Sequence, residues 1–287
     1  MITSDNLKDY VLLDAGDKEK LESWNNIILR RPDPMALWPK IHEELWNRVD
    51  GWYERSNTGG GCWHYDDRRL DEPWNIGYRD LSFKVAPTGF KHTGIFPEQC
   101  ANWDLIYDLV SRRNDVTVLN LFAYTGAATM VASKAGAKEV VHLDASKSIN
   151  DWAKENMRLN HLEDHTIRFM VDDALKFTAR EIRRGRRYDG IIMDPPSYGR
   201  GPDNELFKFE DKINPLIENC LELLSDKPLF FIVNTYTTGY SPEVIRNTMR
   251  RHFEIKGLSG TIESDELGIK IKDSDYVLPC GQTTRWY

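Results

Sequence analysis

Val116-Thr117-Val118-Leu119-Asn120-Leu121-Phe122-Ala123-Tyr124-Thr125-Gly126-Ala127 is an apolar, β-branched run that breaks into a turn with a single glycine. The run from Val116 to Leu121 predicts a buried strand, and the turn opens a helix that Gly136 can stop. The same alternation continues along the chain. Glu139 to Leu143, Thr166 to Val171, Tyr188 to Met193 and Leu229 to Val233 read as strands, with amphipathic stretches between them. Ser146 or Ser148, and Ser241 followed by Pro242, are helix starts. Upstream, Ala101 to Arg112 reads as a helix presenting Trp103, Ile106, Leu109 and Val110. Downstream, Phe253 to Leu258 and Tyr276 to Tyr287 read as antiparallel edge strands. Near-continuous apolar strands separated by helices predict an α/β fold: a Rossmann-like, doubly wound and mostly parallel sheet.

Such a sheet binds ligands outside the carboxyl ends of its strands. The first turn decides which ligand. A dinucleotide pyrophosphate needs a G-x-G-x-x-G turn so that two phosphates reach a helix N-terminus. Here only Gly126 is present, and Phe122 and Tyr124 fill the turn, with Asn120 and Thr125 beside them. A ligand without phosphates fits better, which favours S-adenosylmethionine over NAD. An NAD-dependent oxidoreductase and a catalytically silent, cofactor-binding RNA-interaction protein are the alternatives.

The other strand ends supply suitable groups. Asp144, followed by Ala145 and Ser146, stands where a carboxylate accepts ribose hydroxyls, or caps the next helix. Asp172-Asp173-Ala174 ends the third strand, where Asp173 can accept an adenine amino group or act as a cap. The fourth strand delivers Asp194-Pro195-Pro196-Ser197-Tyr198, in which two prolines fix φ and remove two amide donors. The expected catalytic group is Asp194, the Pro195 carbonyl and Tyr198, with Asp194 also near the cofactor. Pro196, Ser197 and Tyr198 would hold a flat base by hydrogen bonding and stacking. Thr235 and Tyr236, after the fifth strand, would line the acceptor pocket. Phe96 and Gln99 would close over the cofactor.

Residues before about Val85 follow a different pattern. Val11 to Asp14, Ile27 to Arg30, Gly51 to Arg55 and Leu81 to Ala86 read as strands, while Leu37, Ile41, Leu45 and Val49 recur at helical spacing. A small α+β or β-rich domain over residues 1–88, expected to recognise the substrate, precedes a catalytic domain over 89–287. Gly59-Gly60-Gly61 reads as a hairpin tip rather than a phosphate cradle. The 287 residues carry a formal charge of −7, which argues against a generally basic nucleic-acid-binding surface. Arg180, Arg183, Arg184 and Arg187 share a helix face but precede a strand, so they belong at the sheet edge opposite the ligand. Four dispersed cysteines form no C-x-x-C pair, and although Cys62 and His64 approach, no metal is expected. No apolar run is long enough to span a bilayer and no signal peptide is evident, so a cytoplasmic protein is expected. Oligomeric state is open.

Together Asn120 to Gly126, Leu143-Asp144-Ala145-Ser146, the spaced Asn156 and Asn160, and Asp194 to Tyr198 resemble class I methyltransferases related to bacterial large-subunit ribosomal RNA cytosine carbon-5 methyltransferases. His92 to Gln99 is similar to the segment that lies over the cofactor in those proteins. The resemblance covers residues 85–287. It implies a seven-stranded sheet, S-adenosylmethionine as cofactor and ribosomal or other RNA as partner. Phe122, Tyr124 and Gly126 would surround the methionine part, with Asp144 at the ribose, Asp173 near adenine and Asp194 near the transferred methyl. Carbon-5 chemistry needs a cysteine thiolate to attack carbon 6, which the relatives carry just after the fifth strand. Thr235 and its neighbours include none. Direct attack by a nitrogen, or less favourably an oxygen, is the mechanism expected here.

Overall fold

The computed structural model describes residues 1–56, 60–66, 68–89 and 91–287, and its contacts divide the chain into two units. The smaller comprises Ile2–Ala101 with Gly268–Cys280; the larger comprises Asn102–Leu267 with Gly281–Tyr287 and Met1. The sequence pattern changes near residue 88, whereas the contact division falls after Ala101 and returns a late segment to the smaller unit.

In the smaller unit, β1 (Tyr10–Gly16), β2 (Glu19–Trp24), β3 (Ile27–Pro32), β4 (Gly51–Arg55) and β5 (Gly61–His64) form one sheet in that order. Its pairs are antiparallel except β3 with β4. A separate hairpin joins β6 (Trp74–Tyr78) to β7 (Leu81–Val85). The expected strands are present. Gly60 and Gly61 stand at the β4–β5 connection, while Gly59 lies outside the described residues. Strict alternation on β3 buries Ile27, Leu29 and Arg31. Arg31 is tolerated there because its Nε donates to Glu22 at 2.6 Å, and Tyr10 donates to the same carboxylate at 2.8 Å. Burial alone would raise the Glu22 carboxyl, but Arg31 and Lys20 outweigh it and hold the group at about 2.

The helix expected from Leu37 to Val49 does not form. Only a 3-10 turn, Glu43–Asn47, occurs there, and Leu37 is 72% exposed. Pro34 and Pro39 lack the amides a helix needs. Fully buried Asp14 also draws off the donors that remain, taking the Ile41 amide at 3.2 Å, the His42 amide at 2.9 Å and the Trp46 indole at 2.7 Å. The segment is fixed by this carboxylate rather than by its own i to i−4 bonds.

The larger unit carries the sheet that the sequence pattern announces. After α1 (Cys100–Val110) come β8 (Thr117–Leu121), α2 (Ala127–Lys134), β9 (Glu139–Asp144), α3 (Lys147–Leu159), β10 (Ile167–Val171), α4 (Ala174–Arg183) and β11 (Gly190–Met193). A short hairpin, β12 (Tyr198–Arg200) and β13 (Leu206–Lys208), leads to α5 (Phe209–Leu223), β14 (Phe230–Thr235), α6 (Pro242–Lys256), β15 (Ile262–Lys270) and β16 (Val277–Trp286). The seven-stranded order is β10-β9-β8-β11-β14-β16-β15, parallel from β10 to β14 and antiparallel at β16. β8 and β11 are neighbours whose helices lead in opposite directions along the sheet, so a crevice opens at their carboxyl ends. The sheet is buried on both faces: every residue of β11 and β14 is buried.

Phe253 to Leu258 is not a strand. Ile245, Met249 and Phe253 recur every four residues and bury one face of α6, which Gly257 ends in the left-handed conformation. The edge strand is instead β15, whose acidic residues conceal any alternation. α4 ends at Arg183, seven residues before β11, so Arg184 and Arg187 lie beyond the helix rather than on one face with Arg180 and Arg183; Arg184 pairs with Glu181, while Arg180 pairs with Asp172 just past the carboxyl end of β10. No helix among the described residues is long and apolar enough to cross a membrane.

Asp14→Ala removes the acceptor of four donors, the Ala15, Ile41 and His42 amides and the Trp46 indole, and should destabilise the protein by about 1–3 kcal/mol. Urea unfolding followed by tryptophan fluorescence should show a lowered midpoint with little change in slope.

Candidate active site

The β8 turn is bent by three residues in the left-handed region: Phe122 at φ 56°, Tyr124 at 51° and Gly126 at 87°. Two of them carry aromatic side chains, which costs on the order of 1–3 kcal/mol each. Four contacts hold the turn against that cost. The Ala123 amide donates to the Leu143 carbonyl at 2.9 Å, and the Tyr124 amide donates to Asp144 Oδ2 at 3.0 Å. The Gly126 amide donates to the Ala123 carbonyl at 3.0 Å, and Asn156 Nδ2 to the Thr125 carbonyl at 2.9 Å. The φ of Gly126 favours glycine, and a Cβ there would also crowd Ala153, Met130 and His142 at 3.2–3.3 Å.

A buried polar chain lies among the same elements. Asn120 Nδ2 donates to Thr129 Oγ1 at 3.0 Å, and that hydroxyl meets His142 Nδ1 at 2.9 Å. Burial holds His142 down at about 3, so it is uncharged at neutral pH. Asn120, read as a cofactor residue, is buried and directs its amide into this chain. Sequence reasoning missed Thr129 and His142, since a histidine and a threonine thirteen residues apart give no local signal.

Asp144 accepts from both sides. Oδ2 takes the Tyr124 amide and Oδ1 the Ser146 amide at 2.9 Å. Burial raises its pKa, and the backbone bonds from Ser146, Tyr124 and Ala145 only partly oppose this. Ser146 caps α3 through the Ile149 amide, and buried Asn150 ties the Asp144 carbonyl to that of Met170 on β10. At the next strand end Asp173 caps α4, accepting from the Lys176 amide at 2.9 Å, and Ala174 begins that helix. Asp172 pairs with Arg180.

Asp194 leaves β11 with its amide donating to the Leu121 carbonyl at 3.3 Å, beside the first turn. Pro195 is buried, Pro196 and Ser197 are exposed, and Tyr198 is 58% exposed. Ser197 Oγ accepts from the Thr237 hydroxyl at 2.9 Å, which links this loop to the end of β14. Thr235 is buried and accepts from the Thr237 amide; the Tyr236 ring packs over Gly281. Asn102, missed in the sequence, donates to Asn234 at 2.9 Å and accepts from Arg285 at 2.7 Å. The structure thus gathers the residues from Asn120 to Gly126, Asp144, Asp194 to Tyr198 and Thr235 onto one rim of the larger unit. Phe96 and Gln99 belong to the smaller unit, at the start and end of a short 3-10 turn. Cys220, among the described residues the cysteine of the larger unit, lies in the core with its thiol pushed up by burial.

Gly126→Ala imposes both a left-handed alanine and a crowded Cβ. It should lower stability by about 1–3 kcal/mol in chemical denaturation.

Residues 53–234 match a family model described as S-adenosylmethionine-dependent methyltransferase. Ribosomal RNA large subunit methyltransferase K of Neisseria meningitidis is 31% identical over 252 residues, 85% of this chain and 69% of the relative. Ribosomal RNA large subunit methyltransferase K/L of Syntrophotalea carbinolica is 36% identical over 137 residues, 48% of this chain; the match spans only 18% of that longer protein. A crystal structure of an S-adenosylmethionine-dependent methyltransferase from Agrobacterium tumefaciens superimposes with a TM-score of 0.94 at 35% identity, covering 99% of this chain and 92% of the other. With the glycine-poor turn, the carboxylate at the second strand and the double-proline loop on one sheet rim, the chain belongs to the S-adenosylmethionine-dependent methyltransferase family.

Proposed function

We propose that this chain methylates a nitrogen of a base in RNA, with ribosomal RNA the foremost substrate, and that it works in the cytoplasm. The observation that carries the reading is the convergence of two built loops on β8. Tyr124 is tied to Asp144 beyond the strand, and Asp194 is tied to Leu121 at its end. The names of the relatives in Neisseria and Syntrophotalea support RNA as the acceptor class. The oxidoreductase alternative has no support in the family match or the turn.

The residues present fit the family's cofactor. S-adenosylmethionine brings two ribose hydroxyls, an adenine and an amino-acid part but no phosphate, and the rim offers a carboxylate, apolar strand ends and no dense glycine loop. When bound, it supplies an electrophilic methyl carbon on a sulfonium. Asp144 would accept the ribose hydroxyls with the lone pairs its amide bonds leave over. Phe122, Tyr124, Thr125 and Gly126 would flank the methionine part, with Ala145, Ser146, Asp173 and Ala174 toward the adenosine. Asp194 and the Pro195 carbonyl would accept hydrogen bonds from an amino group of the base. These bonds aim the nitrogen lone pair and leave Asp194 placed to take the proton released on transfer. Tyr198, Pro196 and Ser197 would stack on and border the base, with Thr235 and Tyr236 beside it. In-line displacement needs alignment above all, and positioning supplies up to about 7–11 kcal/mol. The buried Cys220 thiol offers no nucleophile for attack on a pyrimidine ring, which favours direct transfer to nitrogen. Residues 1–88 would recognise the RNA.

Asp194→Ala should reduce turnover by about 100-fold or more while S-adenosylhomocysteine still binds in calorimetry. Methylated nucleosides in total RNA, compared by mass spectrometry between cells with and without the gene, identify the product. Normal turnover by Asp194→Ala would place the site elsewhere, and cofactor binding with no lost nucleoside would favour the silent RNA-interaction reading.

Burial raises the Asp144 pKa, so its proton is held more tightly in the fold than in the unfolded chain. Without cofactor, its contribution favours the fold at low pH and is lost as pH rises through the raised value. Ribose hydroxyls need the ionised form, so the sign reverses for binding. S-adenosylhomocysteine affinity should fall as pH drops through the raised Asp144 pKa, and Asp144→Asn should weaken binding and flatten that dependence.

A further inference from the structure

We propose that the β4–β5 hairpin of the smaller unit carries a site for a zinc-class divalent cation, formed by Glu54, Cys62 and His64. The strand register creates the cluster. Glu54 stands directly opposite Cys62, Trp52 stands opposite His64, and residues two apart on a strand share a face. All four side chains therefore lie on one face of the hairpin. Gly61 permits the close approach: a Cβ there would come within 2.1 Å of the Glu54 carbonyl and 2.7 Å of the Tyr53 ring.

The ligand atoms converge. His64 Nε2 lies 3.2 Å from Cys62 Sγ and 2.8 Å from Glu54 Oε2, and all three atoms fall within 4.8 Å of one another. Among the described residues, no other three ligand groups of this kind meet. Zinc bonds of about 2.3 Å to sulfur and about 2.0–2.2 Å to nitrogen and oxygen separate tetrahedral ligands by about 3.3–3.6 Å. The Cys62–His64 and Glu54–His64 spacings would open by about 0.3–0.6 Å to admit the ion, and Cys62 and Glu54 already lie within 4.8 Å of each other. The histidine is also oriented. Its ring stacks on Trp52 with centroids 5.2 Å apart and planes 15° apart, and Arg30 lies over the same indole at 5.8 Å.

The donor set names the cation. Thiolate and imidazole favour zinc and its chemical relatives over magnesium and calcium, which prefer oxygen. Glu54 and Cys62 are exposed, so water would complete the coordination. β5 ends the sheet order and, among the described residues, pairs only with β4. A cation bridging Glu54 to Cys62 and His64 would pin this edge strand, with the Cys62 proton released to solvent on binding. In the sequence Cys62 and His64 alone were too few for a site; the third ligand comes from across the hairpin.

Cobalt(II) titration of the full, reduced, chelator-treated chain tests this. One equivalent should bind with sulfur-to-cobalt charge-transfer absorption, zinc should displace it, and zinc should slow hydrogen exchange of the amides from Gly61 to His64. Cys62→Ser should remove the charge-transfer band, and His64→Gln and Glu54→Gln should each weaken binding about tenfold or more. Circular dichroism and the thermal midpoint in chelator, unchanged in the variants, establish that they fold. Absence of the band in the natural chain, its persistence in Cys62→Ser, or zinc binding no tighter than in a Cys62→Ser, His64→Gln double variant overturns the proposal.

Discussion

Asp144 is a carboxylate held by backbone amides on both sides at the end of a parallel strand, and the geometry of the rim follows from it. One oxygen fixes Tyr124 in the left-handed region, and the other fixes Ser146 ahead of α3. Without an acceptor there, the turn after β8 would lose one of the four contacts that offset the cost of two left-handed aromatic residues. The same group is largely buried, which makes its ionisation sensitive to what it touches. A single side chain thereby shapes the turn and presents an acceptor beside it.

Around that brace the larger unit is built to keep its loops from moving. Asn120, Thr129 and His142 form an uncharged chain that joins β8, α2 and β9. Asn150 and Asn156 carry the restraint to β10 and to the turn itself. On the opposite side, Ser197 and Thr237 couple the double-proline loop to β14, and Asn102 couples β14 to β16. These are side-chain amides and hydroxyls rather than ion pairs, so their strength does not depend on pH near neutrality. Rigid support of this kind is what a displacement reaction requires, because its rate depends on alignment more than on acid–base chemistry.

Buried carboxylates also organise the smaller unit. Asp14 replaces a helix with a fixed irregular segment, and Glu22 gathers Tyr10, Lys20 and Arg31 inside a β-sheet. A buried charge is costly unless it is fully paired, and each of these carboxylates satisfies several donors. The hairpin face bearing Glu54, Cys62 and His64 differs, since its polar groups are exposed and satisfy one another.

The local pattern by itself determined the parallel strands from Thr117 to Thr235, the helix start at Ser241, one at Ser146 or Ser148, and the turns holding Phe122 to Gly126 and Asp194 to Tyr198. These follow from periodicity, proline and glycine, which act within a few residues. The site was legible as a set of strand ends, because a doubly wound sheet brings successive carboxyl ends together. Tertiary structure alone decided the rest. Leu37 to Val49 has helical spacing, yet its donors go to Asp14, more than twenty residues away; Phe253 looks strand-like, yet packs as part of α6. His142 beneath the turn, Asn102 behind β14, Glu54 across from Cys62 and the return of Gly268–Cys280 to the smaller unit all depend on contacts between distant residues. A hydrogen bond or a ligand set forms wherever the folded backbone places its atoms, and only spacing within one element can be read before that backbone exists.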